Sequence, residues 1–216
     1  MNYPDLKFKS ARQITIEEGQ TLYGIALENK CDNILEVGTF GGFATLWLAQ
    51  ATKDLIDIEG NVTSVDFGRD IEPTAQDMVN LNHLSENVEF VFVSDAKMLN
   101  KVLSDVVANK KMIFIGENHD RTDKIWDAIS KKLDDCLIVL HCVECKSATA
   151  MKTPSVYKNL AKVHDSHIIE TVDDAGFKNS FGIVDYKTSN IVVEKKEPAK
   201  RQSKKQQTKK SKEEEK

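Results

Sequence analysis

The 216-residue sequence has no run near the ~18 consecutive apolar residues that a membrane-crossing helix needs, which excludes a helical span. Its first thirteen residues, MNYPDLKFKSARQ, lack the apolar centre of a secretory signal, so a cytoplasmic protein is expected. Cysteine is scarce: Cys31, Cys136, Cys142 and Cys145 are the only four. Without a secretory signal they are expected to be reduced thiols rather than a disulfide framework. Positive charge is also short over most of the chain. Residues 1–193 carry twenty Lys/Arg against twenty-nine Asp/Glu. An acidic body of this kind lacks the basic face that broad duplex-DNA binding requires.

The missing positive charge is concentrated at the end. Residues 194–216 hold ten Lys/Arg, five Glu, no aromatic residue and no Val, Ile or Leu. Such a segment cannot bury enough surface to offset the entropy of ordering, so it reads as a disordered Lys-rich tail beside a domain of residues 1–193. A weak anionic partner, RNA or glycan, is the chemistry such a tail admits. The rest of the chain, in a protein that is 40% apolar, suffices for one sizeable core.

Hydrophobic periodicity alternates between strand and helix. Thr15 and Glu18 form a capping box ahead of a helical face of Leu22, Tyr23, Ala26 and Leu27. Strands are predicted at 33–37, 62–65, 88–93, 112–115 and 137–140, with helices between them. A further helix after Pro154 leads to two late strands, 167–172 and 181–186, whose short connection implies antiparallel pairing. The expected fold is therefore α/β: a doubly wound, mostly parallel seven-stranded sheet, Rossmann-like, with a late antiparallel strand. In such sheets ligands lie beyond the carboxyl ends of the strands. That rule singles out Glu36–Gly42, Asp66, Asp95, 116–119 and His141.

Two phosphate-binding patterns are absent. The loop Gly38-Thr39-Phe40-Gly41-Gly42 has the wrong glycine spacing for a dinucleotide fingerprint. Thr39 and Phe40 put bulk where a pyrophosphate must approach, and no Gly-Lys-Ser/Thr follows. A ligand without phosphates suits this loop better.

The string LEVGTFGGFAT, with Glu36-x-Gly38-x-x-x-Gly42 inside it, resembles the first motif of class I S-adenosylmethionine-dependent methyltransferases, and in particular the small O-methyltransferases and sugar O-methyltransferase-like families. The segments VTSVD, SDA, MIFIGENHD, LIVLHCV and FGIVDYK are similar to later motifs of those families, in the same order. The resemblance spans about residues 14–188. It implies S-adenosyl-L-methionine as cofactor and O-methylation of a small-molecule or sugar hydroxyl. It places Glu36, Gly38, Thr39 and Gly42 at the methionine end, Asp66 at the ribose, and Asp95 with Ala96 at the adenine. Elementary chemistry agrees: glycines let main chain approach a ligand, and helix-opening N–H groups receive a carboxylate. The simpler alternative is that Asp66 and Asp95 only cap the helices that follow them.

Methyl transfer to a hydroxyl benefits from a base titrating near neutrality. His119 and then His141 fill that role in this reading, as base or acceptor-orienting group, while His83, His164 and His167 read as surface or structural. Metal-using relatives carry Asp where this chain has Gly116 and Cys142. Two oxygen ligands are thus missing, which argues against a divalent metal. Cys142-x-x-Cys145 reads as loop thiols, and Tyr157, Trp47 and Trp126 as core. A homodimer is admitted. Two other functions remain open at this point: a catalytically silent cofactor-binding module, and an RNA or protein methyltransferase guided by the tail. The Asp/Asn-Pro-Pro-Tyr type signature of nucleobase amino methylation is absent.

Overall fold

The computed structural model describes residues 3–8, 14–55, 60–67, 72–116, 121–144, 152–172 and 178–190. Seven strands run β1 Asn33–Val37, β2 Asn61–Phe67, β3 Val88–Val93, β4 Met112–Ile115, β5 Cys136–His141, β6 Asp165–Val172 and β7 Lys178–Tyr186. They form one sheet in the order β3-β2-β1-β4-β5-β7-β6. Every pairing is parallel except those of β7, which runs against both β5 and β6. The α/β reading with a single late antiparallel strand holds. The strand order reverses direction between β1 and β4, where ligand crevices of such sheets form.

Six helices interleave with the strands: α1 Ile16–Glu28, α2 Phe43–Asp54, α3 Glu72–Leu81, α4 Ala96–Val106, α5 Thr122–Ile129 and α6 Thr153–Leu160. α1, α2 and α3 cover one face of the sheet and α4, α5 and α6 the other, giving two separate apolar cores. Strand alternation divides the side chains between them. Ile34, Met112, Phe114, Val139 and Phe181 point into the first core, and Leu35, Val37, Ile113, Ile115 and Leu140 into the second. Trp47 and Tyr157 are core residues as expected, and Trp126 packs its edge on Tyr186.

α1 and α2 are in unusually close contact. Gly19 faces the Trp47 indole so directly that a Cβ there would lie 2.1 Å from Nε1. Phe8, in the N-terminal segment, packs on Phe43 with ring centroids 4.6 Å apart. That segment is also strapped to the end of α3. Lys7 N–H donates to Asn82 Oδ1 at 2.8 Å, and Asn82 Nδ2 donates back to the Lys7 carbonyl at 2.9 Å.

The late strands are longer than the apolar pattern indicated. β6 begins at Asp165 and β7 at Lys178, because polar residues at both ends still pair main chain to main chain: Asp165 with Asp185 and Val172 with Lys178.

Candidate functional site

Loop geometry at the end of β1 is set by three left-handed residues: Gly38 (φ 105°), Phe40 (φ 43°) and Gly42 (φ 78°). Glycine takes such angles freely, which suits Gly38 and Gly42. Gly42 is constrained twice over, since a Cβ there would also meet Ala75 Cα of α3 at 2.9 Å. Phe40 has no such freedom, and its backbone is held by Asp66, whose Oδ2 accepts Phe40 N–H at 2.7 Å. Gly38 N–H donates to the Val65 carbonyl at 2.9 Å, which tethers the loop to β2.

Beneath the loop lies a chain of hydroxyls ending on a hidden carboxylate. Glu36 is fully buried. Its Oε2 accepts from Thr45 Oγ1 at 2.5 Å and from Ser64 Oγ at 2.6 Å. Each hydroxyl owns one proton, so Ser64, already donating to Glu36, must accept from Thr39 Oγ1, 2.7 Å away. Ser64 stands opposite Glu36 in the β1–β2 register, and Thr45 reaches it from the first turn of α2. Glu36 thus holds strand, loop and helix together beneath the surface. Ala44, in the first turn of α2, has no hydroxyl to contribute.

Asp66 is 4% exposed, with Oδ2 engaged by the loop. Asp95, at the end of β3, is exposed and is the N-cap of α4. Its Oδ1 accepts Lys97 N–H and Met98 N–H, both at 2.9 Å. These bonds hold the Asp95 carboxyl below the ordinary Asp value. Asp95 thus caps α4, and Asp66 braces the loop. Ala96 opens α4 beside it. Gly38, Thr39, Glu36 and Asp66 are brought together at the β1–β2 rim.

His141 ends β5 and is 5% exposed. Its Nε2 lies 3.0 Å from Glu18 Oε1 and 2.9 Å from Asn179 Nδ2, and its ring packs beside Phe181. Thr171 Oγ1 donates to the same Glu18 oxygen at 3.3 Å. Glu18, legible in the sequence only as half of a capping box, is therefore the centre of a buried polar cluster joining α1 to three strands. Its partners lie more than a hundred residues away, and no local pattern could reveal them.

His119 falls outside the described residues, as do 117, 118 and 120. Gly116 is buried, and a Cβ there would lie 2.6 Å from Phe114 Cε1, so a carboxylate side chain at this position would collide with that ring. Cys142 corrects the thiol reading: Cys31 and Cys136 are free, but Cys142 is disulfide-bonded. It has a left-handed backbone (φ 66°), and its N–H donates to the Ser180 carbonyl at 2.6 Å.

A family model described as O-methyltransferase matches residues 5–132, more than half of the chain. Among solved structures, the chain is similar to the O-methyltransferase TomG from Streptomyces achromogenes, crystallised in complex with SAM. That likeness has 20% identity over 81% of each chain and a TM-score of 0.67. It is likewise similar to the O-methyltransferase from Bacillus cereus in complex with SAH, at 18% identity over 82% of this chain and 84% of that one, with a TM-score of 0.67. Cofactor-bound Rv0187 from MTB matches at 18% identity, with the same two coverages and a TM-score of 0.68. At these identities the likeness is one of fold. No curated protein matches.

Proposed function

Since this chain belongs to the O-methyltransferase family, we propose that it transfers the methyl group of S-adenosyl-L-methionine to a hydroxyl of a small molecule or sugar unit. The observation that carries this reading is the rim of β1 and β2. There a left-handed glycine loop, bare of side chains at Gly38 and Gly42, stands beside Asp66 above a braced Glu36. A turn without side chains at two positions, next to carboxylates, fits a ligand bearing an ammonium group, ribose hydroxyls and a sulfonium.

In this reading Gly38, Thr39 and Gly42 cradle the methionine end. The main-chain N–H groups that open α2 receive its carboxylate. Glu36 acts from beneath by holding Thr45 and Ser64, and its negative charge favours the ammonium above. Asp66 takes the ribose hydroxyls while steadying Phe40. Asp95 and Ala96 N–H face the adenine. When bound, the sulfonium supplies a methyl carbon already activated for displacement. The chain's part is then in-line positioning and removal of the acceptor proton. His119 is the base, and His141, held through Nε2, orients the acceptor side of the rim. Gly116 and Cys142 favour a reaction without a divalent metal.

The same two positions support a second reading, a silent module that binds the cofactor and does not turn it over. We further propose residues 1–193 as the catalytic unit and 194–216 as a separate tail open to an anionic partner, in a cytoplasmic protein, with a homodimer as its assembly. Among the described residues no helix is long and apolar enough to cross a membrane. Calorimetry with S-adenosylmethionine and its demethylated product tests the cofactor, and transfer of labelled methyl into metabolite, glycan, RNA and protein fractions tests the acceptor. Uptake of cofactor with label in the metabolite or glycan pool is expected. Absence of binding to folded protein overturns the proposal, and binding without label in any pool selects the silent module.

A further inference from the structure

A groove of about 650 Å³ opens at the end of the sheet opposite the glycine loop, between the last turn of α1 and strands β5, β7 and β6. Its floor includes Ile25, Ile169 and Ile183, and its rim carries Glu28, Asp135, Asp165 and Asp185 against Lys111 and Lys187. Asp165 and Asp185 are directly paired across β6 and β7, so two carboxylates stand side by side on one face. Like charges placed this way weaken a strand pair unless a cation joins them. Lys187 Nζ lies 2.9 Å from Asp185 Oδ1. Among the described residues no ammonium lies within ion-pair reach of Asp165.

The described chain ends beside this groove. Asp135 Oδ1, on the rim, accepts both the N–H and the hydroxyl of Thr188, at 2.8 and 2.7 Å. This pins the backbone to the groove wall two residues before the last described one, Asn190. The sequence that follows is Ile191-Val192-Val193-Glu194-Lys195-Lys196, with Lys200 and Arg201 beyond it. An apolar triplet and then a net basic stretch, four Lys/Arg against two Glu over residues 194–201, repeat the order of the groove, apolar floor and then acidic rim. Six extended residues reach roughly 20 Å, enough to cross an opening of this size.

We propose that residues 191–201 dock back into this groove, the apolar triplet against its isoleucine floor and the lysines against the acidic rim around Asp165 and Glu28. The groove is then a binding surface for a lysine-bearing segment, and its occupant is the first part of the chain's own tail, which leaves residues 202–216 for an anionic partner. This surface lies away from the glycine loop and does not depend on the function proposed for that loop.

Brief trypsin digestion of the full chain tests the proposal. Cleavage after Lys195, Lys196, Lys200 and Arg201 is compared with cleavage after Lys209 and Lys210 in the same molecules. Cutting follows the population of the undocked form, so the proximal sites should be cut at least about five-fold more slowly than the distal ones. That ratio should return toward one in about 0.5 M NaCl, where exposed charges are screened. It should also do so at low salt in Glu28→Lys and in Asp165→Lys, both at exposed positions and both checked for folding by circular dichroism. A wild-type ratio near one overturns the proposal, as does protection that survives both salt and charge reversal. Protection lost to salt but kept in both variants assigns the tail to another acidic surface and overturns it equally. Should either variant misfold, the other variant and the salt series on the wild type carry the decision.

Discussion

His141, at the end of β5, and Glu18, in the first turn of α1, lie 3.0 Å apart across 123 residues of sequence. The same Glu18 oxygen takes Asn179 Nδ2 at 2.5 Å, and the other oxygen accepts Thr15 N–H at 2.7 Å. One carboxylate therefore closes the cap of α1 and anchors it to the sheet. Burial pushes its pKa up, but the hydrogen bond and charge of His141, with the Thr15 N–H and the Thr171 hydroxyl, outweigh burial and hold it below the ordinary value of 4.5. A depressed carboxyl pKa contributes stability that is fully present above about 4.5 and is lost as pH falls through the folded value. Glu18→Gln should cost about 1–3 kcal/mol at pH 7 in denaturant melts. It should also flatten the loss of stability on acidification below pH 4.5. Equal stability of variant and wild type at pH 7 would remove the anchoring role.

Asp66→Ala should weaken cofactor binding by roughly ten- to a hundred-fold, since it removes a charged acceptor and loosens the loop through Phe40. Calorimetry with S-adenosylhomocysteine reads this directly. Unchanged affinity would take Asp66 out of the site.

Substituting Gly116→Asp restores the carboxylate that metal-using relatives carry. Here the new Cβ meets Phe114 at 2.6 Å. The expected outcome is destabilisation by about 1–3 kcal/mol, through overpacking, without acquired metal dependence. Thermal melts with and without Mg²⁺ check both parts, and a stable variant activated by metal contradicts both.

His119→Ala should leave cofactor affinity intact and slow methyl transfer by about 10²–10⁴-fold, the usual contribution of a positioned base. A variant as fast as the wild type would shift the base role to another group.

Ending the chain after residue 193 should leave cofactor affinity within about two-fold, because the described chain ends, at Thr188–Asn190, beside the start of β5 and so at the end of the sheet opposite the loop, beyond the range of screened charge. A large loss would make the tail part of the cofactor site.

Much of this architecture is written in local pattern. Strand β4 is four buried apolar residues in a row, the mark of a strand covered on both faces. The Thr15–Glu18 box and the Asp95 cap are short-range bonds that residue type and spacing reveal. What escaped depends on register or on distant chain. Glu36 looks like a ligand-facing acid in sequence, yet it is enclosed by Ser64 from the neighbouring strand and by Thr45 from the helix that folds back over it. The disulfide at Cys142 goes against an expectation built on compartment rather than on geometry. The polar ends of β6 and β7 were hidden because ladder pairing does not depend on hydrophobicity.

The Trp47 ring wedged against the bare backbone of Gly19 has a mechanical corollary. Two helices interlocked at that depth cannot shear past one another without breaking close packing. The bank of the crevice that bears Glu18 and the scaffold supporting the glycine loop therefore move as a single slab. Any widening that admits a ligand must then come from elements other than α1 and α2.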